Sequence, residues 1–279
     1  MSKRSFLKSI FNIDQRWIFA LTLIVLAIPL LFTLGLPLTI NANARGFYTM
    51  VENLPQGSKV VYIWGADSMT WMEQGLPATV VLKHLMMKPG IKILAFSEMD
   101  QGPLYWNMVI NQIGTYGKKY GQDFVYLGYL PGGETMLATA AADIWKACGG
   151  KDYYGNDLST LPMMANIHSA NDIDVVIHLS MGDTMLYSMR QWQMPYKKPF
   201  YVIPLLAVQA TLVPYRNTGQ IAGWVAGARE AAEYELLLKS PGLAAAQMDS
   251  QSIGHFLVIG LIILGNVGYL MTRNKEGRN

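Results

Sequence analysis

The sequence predicts an α/β protein: a doubly wound, mostly parallel, Rossmann-like sheet domain, extracytoplasmic, with a transmembrane helix at each end. Three observations carry that expectation. Near-continuous apolar runs of strand length alternate with helix-like stretches, the rhythm of βαβ units. Long charge-free runs stand near both ends of the chain. Basic residues lie outside both runs, which orients them.

Residues 1–17 form a short segment in which Lys3, Arg4, Lys8 and Arg16 outweigh Asp14, so it is expected to be cytoplasmic. Residues 18–40 carry no charge over 23 positions, enough to cross roughly 30 Å of hydrocarbon as a helix. Pro29 and Pro37 are tolerable there as kinks. Ala42-Asn43-Ala44 resembles a signal-peptidase site, but the preceding apolar run exceeds the roughly 7–15 residues of a signal peptide's apolar core, so an uncleaved anchor is expected.

Residues 41–252 are read as one extracytoplasmic domain. Strands are expected at KVVYIWG from Lys59, IKILAFS from Ile91, DFVYLGY from Asp123, DIDVVIHLS from Asp172 and FYVIPLLAV from Phe200. Their apolar character is continuous rather than alternating, as in strands covered on both faces. Helices are expected over Ala78–Met87, Leu104–Tyr116, Glu134–Ala147 and Thr184–Trp192. Residues 148–171, rich in Gly, Asn and Asp, read as an inserted excursion. A last helix is expected from a Thr218 cap to about Lys239, stopped by Ser240-Pro241-Gly242. Along it Gly219, Gly223, Gly227 and Ala231 recur every four residues, a ridge of small side chains suited to close packing against the domain's own sheet or a neighbouring subunit. Its charged end, Arg229 to Glu235, is expected to face water or a partner. A linker, SPGLAAAQMDSQS, leads to a second span over 253–271, and residues 272–279 form a basic cytoplasmic tail with Arg273, Lys275 and Arg278 against Glu276.

Setting aside those seven basic and two acidic residues leaves 15 basic against 17 acidic between the spans, a formal charge of −2 that gives no reason to expect nucleic acid. The lone Cys148 excludes an intramolecular disulfide, so packing must hold the domain.

Three expected strand ends share a pattern of glycine, acid, hydroxyl and methionine: Gly65 with Asp67 and Ser68; Gly132 and Gly133 with Glu134 and Thr135; Gly182 with Asp183 and Thr184. In an open α/β sheet such ends converge on the ligand-binding edge, where the acids would suit a hydrated cation or a polyhydroxyl ligand. The plainer reading is that acids and hydroxyls there cap helices. Phosphate is disfavoured, because no GxGxxG or GxxxxGK[ST] spacing is present. His168, Asp172, Asp174 and His178 form a loose cluster without a metal-site spacing, and no GxSxG elbow marks a serine nucleophile. Methionines in SMTWME and MGDTMLYSM read as gap-fillers.

With no catalytic constellation, no metal site and no cofactor expected, the leading expectation is a structural or scaffolding subunit. Its partners would be the lipid bilayer and either further copies of itself or other membrane subunits. The alternative is a ligand-binding or sensory domain with its pocket at the carboxyl strand edge. A membrane-tethered hydrolase or transferase is the third.

Overall fold

The computed structural model describes residues 14–276. Lys3, Arg4, Lys8 and Arg278 lie outside the described residues, as do the side chains of Asp183, Arg273, Lys275 and Glu276. In chain order the elements begin with α1 (Gln15–Leu31), α2 (Ala42–Glu52), β1 (Lys59–Trp64), α3 (Ser68–Met87) and β2 (Lys92–Ser97). There follow α4 (Gly102–Ile113), β3 (Phe124–Tyr129), α5 (Gly133–Ala142), β4 (Val175–Ser180) and α6 (Asp183–Ser188). The chain ends with β5 (Phe200–Pro204), α7 (Gln209–Asn217), β6 (Gly223–Trp224), α8 (Gly227–Leu237) and α9 (Leu243–Glu276). Two compact units result: Leu38–Ser240 contains the sheet, and α1 and α9 with their flanks make the other.

The six strands form one parallel sheet in the order β3-β2-β1-β4-β5-β6. Residues 175–180 of β4 are all buried, and β1 and β2 are buried except at their half-buried first residues, which explains their uninterrupted apolar sequences. On one face Val61, Ile63, Leu94, Phe96, Val125, Val176 and Val202 share a core with Leu137 and Ala141 of α5, Met185 of α6 and Trp192. The other face is aromatic. Trp106 of α4 stacks on Tyr126 at 4.7 Å, Trp64 stacks on Trp71 of α3 at 5.8 Å, and the Tyr62 hydroxyl donates to the Ala78 carbonyl. Residues 148–171 carry short 3-10 turns whose Leu158, Met164 and Ile167 are buried in the first core.

The segment from Thr218 to Lys239 is not one helix. Thr218 ends α7 rather than starting a helix, and Gly219 follows it at φ +75° as a left-handed stop. Ile221, Trp224 and Val225 are then buried as the chain extends the sheet edge through β6, and Gly227 re-enters helix at φ +63°. Gly219, Gly223, Gly227 and Ala231 therefore form no continuous ridge. Two of them are still tightly placed: a Cβ on Gly223 would meet the Tyr201 ring at 3.1 Å, and one on Gly227 would meet Leu206 at 2.8 Å. Of the charged end, Arg229 faces water but the acids do not. Glu230 and Glu233 are buried as hydrogen-bond acceptors, Glu230 from the Ala226 N–H at 2.7 Å and Glu233 from the Asn41 N–H at 2.8 Å. These carboxylates satisfy backbone donors at the starts of α8 and α2.

The first apolar run is helical only to Leu31: it continues through Pro29, Phe32 is extended, and Gly35 turns left-handed at φ +67°. Ala42-Asn43-Ala44 is the first turn of α2, capped by the Asn41 side chain. The expected linker before the second run is instead the start of α9, which continues to Glu276. Within it residues Leu243–Leu270 are long and apolar enough to cross a membrane, at mean hydropathy 1.9 over the most apolar window.

The helical unit is an antiparallel pair. Buried Asp249 of α9 accepts from the backbone N–H groups of Leu34, Gly35 and Leu36 at 2.8–2.9 Å. The Ser250 hydroxyl donates to the Leu26 carbonyl, and Leu26 approaches the position a Gly254 Cβ would occupy to 2.7 Å. Phe19 and Leu23 of α1 and Phe256 and Ile263 of α9 are exposed.

Candidate ligand site at the carboxyl edge of the sheet

A sheet ordered 3-2-1-4-5-6 reverses its direction of winding between β1 and β4, and ligands of such sheets bind outside the carboxyl ends of the strands near that switch. Register places Ile63, Phe96 and His178 in one row on the α5/α6 face, with Gly65, Glu98 and Ser180 two positions further on. His178 Nε2 and Glu98 Oε1 are 3.0 Å apart, with side chains 0 % and 3 % exposed. They form the buried base of the switch point. Gly65 is needed beside them: a Cβ there would fall 2.2 Å from the Leu179 carbonyl oxygen and 2.5 Å from Glu98 Oε1.

The acids singled out by sequence do not pool their charge. Asp67 caps α3, accepting from the N–H groups of Met69 and Thr70, and the Thr70 N–H chiefly holds its carboxyl below the usual range. Ser68 is exposed, and its N–H is taken by the Gln101 side chain. Gly132 and Gly133, at φ +123° and +55°, lead into α5. The Glu134 side chain is gripped by Arg190 in two hydrogen bonds of 2.7 and 2.8 Å and by Gln191, which hold its pKa down at about 2. It is therefore a committed anion and not a proton donor near neutrality. Thr135 is exposed, and its carbonyl accepts from Thr139. Gly182, at φ +140°, precedes Asp183 at the start of α6, and the Thr184 hydroxyl lies 3.3 Å from that of Ser180.

Of these residues Gly182 lines a cleft of ≈ 470 Å³ at the ends of β4 and β5. Ser180 and Pro204 supply its strand-end wall, Met185 and Leu186 of α6 one side, and Val208, Thr211, Leu212, Pro214 and Tyr215 the other. None of its lining residues is charged. Beneath it the buried Gln74 amide ties the two strand ends together, donating to the carbonyls of Ser180 and Ile203 at 2.7 and 2.8 Å. Beyond α6 the helix widens into a π-turn over Met189–Gln193, which carries both partners of Glu134. Such turns recur at functional sites. Sequence reasoning missed the α7 wall by extending the β5 strand to Val208. The signal was present in the spacing of Val208, Leu212 and Tyr215, four and three residues apart, which is helical.

A second cleft, of ≈ 390 Å³, opens at the amino ends of β1 and β2. Its Lys59 ammonium donates to the Asn166 carbonyl, and its Lys92 ammonium to the Gln122 carbonyl and the Asp123 carboxylate. Its cations are thus consumed by the protein. The loose cluster of His168, Asp172, Asp174 and His178 does not converge: His168 stacks on Trp145, Asp172 accepts from the His168 and Ser169 backbone, Asp174 from the Lys59 backbone, and His178 meets Glu98. Among the described residues no group of three or more His, Cys, Asp or Glu side chains is placed to hold a metal. The sequence matches no known family model, and no curated protein is detectably similar to it.

Proposed function

We propose that the chain is a membrane-anchored ligand-binding domain whose site is the cleft at the carboxyl ends of β4 and β5. The observation that carries this reading is the position of the cleft, on the functional edge of a doubly wound sheet and beside its switch point. In this reading α9 crosses the membrane and α1 pairs with it as a second span, extended by the apolar segment that follows Leu31. Both ends are cytoplasmic and the sheet domain is extracytoplasmic, as the flanking basic residues favour. The exposed apolar surfaces of the pair support contact with lipid.

The test is a thermal-shift screen of the full chain in mild detergent against cations, sugars, nucleotides and neutral amphiphiles. A ligand of the native state raises the midpoint by mass action. At least one class is expected to stabilise the wild type but not Thr211→Trp, in which an exposed side chain of the cleft is enlarged to fill it. A panel that shifts neither protein, or both alike, removes the reading.

A scaffolding role is the second reading. Its support is no longer the glycine spacing but an apolar surface on α3 and α4, where Met69 and Met72 are 87 % and 84 % exposed and Leu104 is 65 % exposed. It predicts a particle larger than the monomer in detergent, reduced to monomer by Met69→Glu with Met72→Glu.

A further inference from the structure

We infer that the cleft takes an uncharged, largely apolar small molecule bearing a hydroxyl or carbonyl group, and that the segment from Leu205 to Asn217 is the lid that closes over it. The inference rests on the ligand-binding reading above and adds the class of ligand and the moving part.

The ligand class follows from the lining. Its polar side chains are the neutral hydroxyls of Ser180, Thr211 and Tyr215, and the rest of the surface is mainly Met, Leu, Val and Pro. A carboxylate, phosphate or ammonium enclosed there would lose its water and gain no counter-charge, since the nearby Arg190 is already spent on Glu134. A hydroxyl or carbonyl, by contrast, exchanges water for the Thr211 or Tyr215 hydroxyl at little cost, the Ser180 hydroxyl being buried and bonded within its own turn. The volume of ≈ 470 Å³ lies within the roughly 300–1,000 Å³ of small-molecule sites.

The lid follows from how α7 is held. Leu212 is its only buried side chain, while Leu206 and Val213 are exposed. The segment is pinned mainly at its ends. At the front the Leu206 N–H donates to the Glu73 carboxylate. At the back the Arg216 guanidinium lies 4.8 Å over the Trp224 ring and donates to the Asn43 side chain. A segment with fixed ends and one buried anchor opens locally at low free energy, and the same segment supplies one side of the cleft. A ligand against Val208, Thr211 and Leu212 adds the apolar contacts that α7 lacks.

Hydrogen exchange across residues 205–217 of the full chain, in detergent, tests both parts. The probes are 4-phenylbutan-1-ol, 4-phenylbutanoate and 4-phenylbutylamine, matched in body and differing in head charge, with binding followed in parallel by calorimetry. At a free concentration of about four times its dissociation constant, the alcohol is expected to slow exchange in the segment about fivefold, because it binds only the closed form. The acid and the amine are expected to leave it unchanged. Thr211→Trp is expected to abolish the alcohol's effect while keeping its unliganded melting midpoint. Protection by the acid or amine as strong as by the alcohol overturns the ligand class and leaves the site standing. Binding of the alcohol without slowed exchange overturns the lid. Failure of all three probes to bind overturns the site itself, and with it the reading on which this one rests.

Discussion

His84, in the junction of α2, α3 and α8, is a buried imidazole shared between two partners. Its ring nitrogens lie 2.9 Å from the Tyr234 hydroxyl and 2.9 Å from a Glu52 carboxylate oxygen, and its ring stacks on Tyr48 at 4.9 Å. Burial pushes its pKa below 6.5, more strongly than the Glu52 hydrogen bond raises it. The neutral ring is therefore favoured by folding. Its contribution to stability is complete above the unfolded pKa of about 6.5 and is lost as pH falls through the lower folded value. Glu52, held below 4.5 chiefly by its hydrogen bond to His84, adds a loss of the same sign at lower pH. The thermal midpoint is thus expected to fall between about pH 7 and about pH 5 in the wild type. In His84→Gln that slope should flatten, and an unchanged slope would place the titration elsewhere. Legibility at this scale divided by sequence distance. Asp67 as a cap was readable, because its partners are two and three residues away. The contact of His178 with Glu98 was not, because it spans 80 residues and passes across β1, so only the strand order reveals it.

At the scale of elements, the parallel strands were legible because burial on both faces leaves apolar runs that few helices share. β6 was not, because two residues carry no period. The regular glycines from Gly219 to Gly227 imitated a helix face while each met a separate local need. Alanine substitutions separate the two arrangements by sign. In a continuous helix Gly219→Ala and Gly227→Ala would both stabilise, since Gly costs about 1 kcal/mol relative to Ala in a helix interior. In the observed fold both residues have positive φ, which costs an L-residue roughly 1–2 kcal/mol. Gly219→Ala should destabilise by about 1 kcal/mol, because nothing lies within 4 Å of its added Cβ. Gly227→Ala should cost more, about 2–3 kcal/mol, since its Cβ also crowds Leu206. Chemical denaturation of the two variants reads the difference.

For the whole molecule, the doubly wound sheet was legible in the alternation of runs, while its two-unit division emerges only from contacts. The apolar runs marked the helical pair, but the carboxylate that receives the Leu34 and Gly35 N–H groups lies more than 200 positions away in sequence. Membrane orientation is tested with single cysteines introduced into a Cys148→Ser chain in intact cells. A cysteine at Thr160 is expected to react with an impermeant maleimide, and one at Gly277 only after the cytoplasmic membrane is permeabilised. The opposite pattern would invert the proposed topology.

The Asp249 clasp has a mechanical consequence. It fastens Leu34, Gly35 and Leu36 to α9, while in the other unit Glu233 fastens Asn41 to α8. Each unit thus holds one such latch, a buried carboxylate accepting from backbone N–H: three for Asp249 and one for Glu233. Separating the Leu34–Leu36 segment from α9 must break the three hydrogen bonds of the Asp249 latch.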